Sequence, residues 1–222
     1  MPRWTVHLDG ASSSLRLLAA LAVGVTVEDR AFVFRSENLD RLTDSTEVEQ
    51  YVGELIGVLN GVGRMADDDF VAISSSLIVG TDRGHTTVLA RPADAAMRGG
   101  VAVVQQGSQS GVSTDYSSLA EIAIREPKVA QVLQTLARGV DPVNLYRVFE
   151  LIRNDVRPGM VTNGWTTKPE IERFRRTVNS VSVLGYEARH AVQREQPPQR
   201  PMSVAEARAF VRRLVEKWAA SK

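Results

Sequence analysis

Cysteine is absent from all 222 residues, and lysine is absent before Lys128. Without cysteine there are no disulfides, no thiolate metal ligands and no thiol nucleophile, and the composition accords with a reducing compartment, so a cytoplasmic protein is expected. Histidine is scarce: His7, His85 and His190 share no metal-ligand spacing, and neither a metal nor another cofactor is expected. No apolar run approaches the ~20 residues that span a bilayer. The nearest, "SLRLLAALAVGV" (14–25), is short, carries Arg16 and reads as a buried segment, so no membrane partner is expected. The opening "MPRWTVHLDG" has neither the basic start nor the apolar core of a signal peptide.

The charge that is present is unevenly placed. Residues 1–110 carry 9 Arg against 14 Asp and Glu, a balance of −5, whereas residues 111–222 carry 18 Lys and Arg against 12 Asp and Glu, a balance of +6. An anionic partner would be met in the second half, and a protein partner through the acidic first half.

The first half predicts mixed α and β structure. "RWTVHL", "AFVFRS", "FVAIS", "SLIVG" and "HTTVLA" are short, apolar or β-branched stretches that predict strands, and "VGTDRGHTTV" predicts a hairpin turning at Gly84. Between them Val48, Tyr51, Val52, Leu55, Leu59 and Val62 recur at steps of three and four behind Asp44 and Glu47, the pattern of a capped amphipathic helix. Residues 92–113 shift to Gly, Ser, Gln and Ala, and 105–113 read as a linker. The expected organisation is a mixed α/β domain over 1–104, the linker, and a helical bundle over 114–222, giving an α+β protein.

The second half predicts helices separated by prolines. "YSSLAEIAIRE" and "PKVAQVLQTLARG" divide at Pro127. Asp141-Pro142 opens a helix with Leu145, Phe149 and Ile152 on one face, and Thr167 opens another bearing Ile171, Phe174 and Val178. "SVAEARAFVRRLVEKW" starts with a Ser203/Glu206 capping box and lines up Phe210, Leu214 and Trp218. Phe149, Ile152, Phe174, Phe210, Leu214 and Trp218 are the expected bundle core.

Several polar clusters carry no chemistry. "ADDDF" (66–70) lacks the glycine and distal glutamate of a calcium loop and reads as a solvated turn. Arg208, Arg212 and Arg213 fit a solvated helix face. The segment "ERFRRTVNSVSVLGYEARHAVQR" differs, because it gathers Arg175, Arg176, Arg189, His190 and Arg194, and guanidinium forks suit phosphate. A helix through 186–194 would set Glu187 and Arg194 one turn either side of His190, with Arg189 about 100° away. Histidine beside a carboxylate can serve as an acid or base.

An arginine followed at once by a polar residue, late in a helical bundle, resembles the HEPN group of prokaryotic helical domains, with Arg189 as the arginine and His190 as the polar position. The resemblance covers roughly the last half of the chain. It implies RNA as partner, metal-independent endoribonuclease chemistry at Arg189 and His190, RNA contacts at Arg175, Arg176 and Arg194, and a place in phage defence or a toxin system. The HEPN pattern places a histidine four to six residues beyond the arginine; here Arg194 follows after four, and no later histidine exists. The alternative expectation is a non-catalytic adaptor or immunity protein that binds protein.

Overall fold

The computed structural model describes residues 3–21, 23–82, 84–90, 116–192 and 195–222. It is an α+β protein whose first half contributes five strands, β1 (Arg3–Asp9), β2 (Val25–Glu28), β3 (Ala31–Phe34), β4 (Ser74–Asp82) and β5 (His85–Ala90), in the antiparallel order β2-β3-β1-β4-β5. Val6 on the central strand stands opposite Phe34 on one side and Ile78 on the other. The pleat then decides burial. Trp4, Val6 and Leu8 are buried while the alternating Thr5 and His7 are only half-buried.

Three helices accompany the sheet: α1 (Ser12–Ala20), α2 (Glu37–Asp40) and the long α3 (Ser45–Ala66). Asp44 caps α3 by accepting from the backbone N–H of Thr46 at 2.8 Å and Glu47 at 3.1 Å. Val48, Val52, Leu55, Leu59 and Val62 are buried, as their spacing predicts, and Tyr51 is partly so.

Two local features depart from the sequence reading. β2 was not foreseen: it forms a hairpin with β3 across Asp29 and Arg30, both in the left-handed region at φ 47° and 67°. The backbone signs of such a turn ordinarily call for Asn or Gly, and neither residue is here to announce it. "FVAIS", expected as a strand, stays irregular until Ser74. Its polar backbone is satisfied by side chains instead of a ladder. Asn60 Nδ2 donates to the Ile73 carbonyl at 2.9 Å, the Ile73 N–H donates to Asn60 Oδ1 at 2.7 Å, and the Val71 N–H donates to Ser14 Oγ at 3.0 Å.

Beyond residue 115 the chain is helical: α4 (Tyr116–Arg125), α5 (Pro127–Ala137), α6 (Pro142–Asp155), α7 (Gly159–Thr162), α8 (Lys168–Val178), α9 (Val181–Leu184) and α10 (Val204–Ala219). Proline or a capping residue starts each long helix after α4, and the Ser203/Glu206 capping box is formed in both directions. The expected boundary at 104 and the linker 105–113 lie outside the described residues. On either side of them the apolar residues belong to one core: Leu133 and Val129 of α5 share it with Leu59 and Val62 of α3. The approach of the two helices is close enough that a Cβ at Gly61 would collide with the Leu133 carbonyl.

All six expected bundle-core residues are buried to 2 % exposure or less. Phe174 and Phe210 meet at 4.8 Å between ring centroids and Phe149 and Phe174 at 5.4 Å, which joins α6, α8 and α10. At the end of α6 the Asp155 carboxylate, 7 % exposed, accepts from Trp218 Nε1 at 2.9 Å and from Lys222 Nζ at 2.5 Å, and is paired with Lys128 of α5. Hydrogen bonds from Lys128 and Lys222 outweigh the opposing effect of burial and hold its pKa far below the ordinary aspartate range. Among the described residues no helix is long and apolar enough to cross a membrane.

Two stability predictions follow from this packing. Phe210→Ala removes a ring from the centre of the α6–α8–α10 contact and is expected to cost about 3 to 5 kcal/mol in denaturant unfolding. Asp155 has a depressed native pKa, so its contribution is complete above the unfolded value of about 4 and is lost as pH falls below that. Thermal unfolding of Asp155→Asn is therefore expected to lie below wild type at neutral pH, with the gap narrowing on acidification below about pH 4.

Candidate anion-binding cavity

The residues of "ERFRRTVNSVSVLGYEARH" come together where α6, α8 and the segment after α9 meet. Helix α8 is started by Thr167, whose hydroxyl accepts from the Glu170 N–H at 3.3 Å, and it carries Arg175 and Arg176 in its last turn. Cations there face the negative end of the helix dipole. After α8 the chain turns back through α9 and a three-residue 3₁₀ turn, Gly185–Glu187, entered with Gly185 at φ 59°. The Arg189 N–H then donates to the Val178 carbonyl at 2.9 Å, which ties the returning chain to the end of α8.

This corrects the expected helix over 186–194: residues 188–192 are irregular, and Glu187 does not lie one helical turn from His190. The physical reason lies in the Arg189–Val178 bond, which turns the Arg189 N–H outward to another element instead of to a carbonyl four residues back. Nor do Arg189 and His190 point apart. Arg189 Nη1 stands 3.2 Å from His190 Nε2. A guanidinium cannot accept, so this contact is a hydrogen bond when His190 carries its proton on Nδ1. Arg194 lies outside the described residues.

A cavity of about 180 Å³ is lined by Tyr146, Arg175, Arg176, Asn179, Arg189, His190 and Glu195. Four of the five residues singled out in the sequence thus share one site, although ten or more residues separate Arg175 and Arg176 from Arg189 and His190. Tyr146 organises it. Arg189 stacks its guanidinium over the Tyr146 ring, 4.1 Å from the centroid. Burial opposes the charge of Arg175, but its hydrogen bond to Tyr146 and the nearby Glu172 and Glu195 carboxylates prevail, and the Arg175 pKa is raised. Ion pairs close the perimeter: Arg175 with Glu172 at 2.7 Å and Arg189 with Glu150 at 3.7 Å. Asn179 Oδ1 is buried without a hydrogen-bond partner.

One wall of the cavity is supported by a proline-rich strap. Arg176 donates through Nε to the Gln196 carbonyl at 2.9 Å and through Nη2 to Pro197 at 3.3 Å. Arg173, outside the cavity, holds the Arg200 carbonyl at 2.7 Å, the Pro201 carbonyl at 3.1 Å and Glu206 at 2.9 Å. Inside the strap, the Met202 N–H donates to Thr177 Oγ1 at 3.0 Å. Prolines supply carbonyls with no N–H of their own, and the arginine forks of α8 satisfy them.

Tyr146, Asn179, Glu150 and Glu195 were not picked out from the sequence. For Tyr146 a signal existed, since it stands three residues before Phe149 on the buried face of α6 with a hydroxyl that needs a partner. The carboxylates gave none, because only the return of the chain brings them near. His7 and His85 sit on strands of the sheet, half-buried and exposed respectively, and neither lines this cavity. The three solvated-face arginines of α10 are engaged elsewhere: Arg212 with Asp68 at 2.6 Å, Arg213 with Glu170 at 2.5 Å, and Arg208 with the Val140 carbonyl at 3.4 Å.

Comparison of the chain with protein-family models, with curated proteins and with solved structures gave no match.

Because Arg173 supports the strap without entering the cavity, Arg173→Ala separates the two roles. Amide exchange at Met202 is expected to accelerate, with a stability loss of about 1 to 2 kcal/mol in chemical unfolding.

Proposed function

We propose that this chain engages RNA by holding a phosphate among Arg175, Arg176, Arg189 and His190. The observation that supports this reading is the convergence of three arginines from two chain segments on one polar cavity. One exposed arginine grips a phosphate weakly, whereas several fixed forks share its oxygens between them. The amide of Asn179 adds to the set: its Oδ1 position is unpaired, and the same amide turned end for end offers an N–H there. Glu150, Glu172 and Glu195 compete with the phosphate for the guanidinium groups. They also keep those groups in place, because each carboxylate binds from the perimeter. The rival reading, a protein-binding adaptor, would draw on amphipathic helices, and the apolar stripes of α3, α6, α8 and α10 are turned into the core.

A HEPN-like ribonuclease activity would run through His190, the cavity's one imidazole, with Arg189 holding the charge of the scissile phosphate. Attack by a ribose hydroxyl needs its proton removed, and the unprotonated Nε2 is the atom to accept it, once the phosphate has drawn Arg189 away. The binding proposal does not depend on that step.

Titration of labelled single-stranded RNA at several salt concentrations tests the reading. Wild type is expected to bind at low salt with a steep loss as salt rises. Arg189→Ala is expected to weaken binding and to flatten the slope of log K against log salt by about 0.7 to 1. His190→Ala is expected to abolish any cleavage in the same mixtures while leaving the unfolding transition unchanged. Salt-independent binding, or none at low salt, would remove the anion reading, and cleavage surviving in His190→Ala would remove the acid/base role.

A further inference from the structure

Thirteen aromatic residues occur in the chain, all among the described residues, and twelve are buried or half-buried. The thirteenth is Tyr186, at 108 % exposure. A tyrosine costs apolar hydration when left in water, so a ring held out by itself calls for an explanation. Its position suggests one. Tyr186 is the middle residue of the 3₁₀ turn Gly185–Glu187, three residues before Arg189, whose backbone is tied to the end of α8.

We infer that Tyr186 is a stacking platform for an unpaired base of the RNA whose phosphate the arginine cavity holds, and that the substrate class is therefore single-stranded RNA. The inference rests on the phosphate reading above. Three residues of chain span at most about 11 Å, a distance that one or two nucleotides cover from a phosphate in the cavity. The turn presents the ring on a short, closed loop: the Ala188 N–H donates to the Gly185 carbonyl at 3.3 Å, so the platform is tethered on both sides. Every base offers a π-face, which makes such a contact tolerant of sequence but intolerant of a duplex, whose bases are already stacked on one another. Phosphate contacts alone would not discriminate the two forms in this way. Val192, 70 % exposed, adds apolar surface on the far side of His190.

Fluorescence anisotropy with three probes, a single-stranded oligoadenylate, an RNA duplex of equal length and inorganic polyphosphate, separates the two levels of the argument. Tyr186→Ala is expected to weaken oligoadenylate binding about 5- to 100-fold, leaving the salt slope and polyphosphate binding as in wild type. Tyr186→Phe, which keeps the π-face and loses the hydroxyl, is expected to bind like wild type. The side chain is fully exposed, so neither variant should disturb folding; matched unfolding curves check this. If Tyr186→Ala binds oligoadenylate as tightly as wild type, or if wild type binds duplex and single strand equally, the platform is refuted while the anion site stands. If wild type binds neither polyphosphate nor oligoadenylate at low salt, the anion site itself is refuted and the platform with it.

Discussion

The ring of Tyr146 is the point on which the arginine cavity turns. It lies 5.8 Å from Phe149 and 6.3 Å from Phe174 in the aromatic cluster that binds α6 to α8, and the other side of the same ring carries the Arg189 guanidinium. Its hydroxyl serves Arg175. One buried side chain therefore couples the hydrophobic packing of the bundle to the placement of two cations. The packing is dense and its rotamers are settled by neighbours, so the guanidinium groups inherit a defined separation that exposed arginines would not have.

Like charges close together repel, and the chain manages that cost in two ways. Carboxylates from three elements, Glu150 on α6, Glu172 on α8 and Glu195 ahead of the strap, stand around the arginines. Backbone carbonyls take up the remaining donors: Arg176 and Arg173 are bound to the proline-rich strap, whose prolines leave carbonyls without competing N–H groups nearby. The outcome is a site rich in cations yet locally balanced, in which an anion exchanges one set of acceptors for another. That arrangement favours selectivity for a group able to address several forks at once over strong attraction to any negative charge.

A second anchoring point lies at the opposite end of α6. Asp155 gathers Lys128, Trp218 and Lys222, so α5, α6 and the end of α10 meet on one carboxylate. The N-terminal end of α6 contributes Tyr146 to the cavity while its C-terminal end is held by this carboxylate, and the helix between them is fixed by Phe149 and Ile152 at 0 % exposure.

Much of the architecture was legible in the residues alone, for a local reason. Helix periodicity, N-caps and prolines act within a few positions of one another, so the starts of α5, α6, α8 and α10 and the burial of Phe149, Phe174, Phe210 and Trp218 could be read without knowing any long-range contact. The same holds for the β4–β5 hairpin at Gly84. What defeated that reading were segments whose backbone groups bond to distant partners: residues 70–73, satisfied by Asn60 and Ser14, and residues 188–192, turned aside by the Arg189–Val178 bond. The sequence by itself determined that arginines would gather in the second half. Only the tertiary structure decided that Arg175, Arg176, Arg189 and His190 face one cavity over Tyr146, because that depends on a chain reversal and on packing between elements that no local pattern encodes.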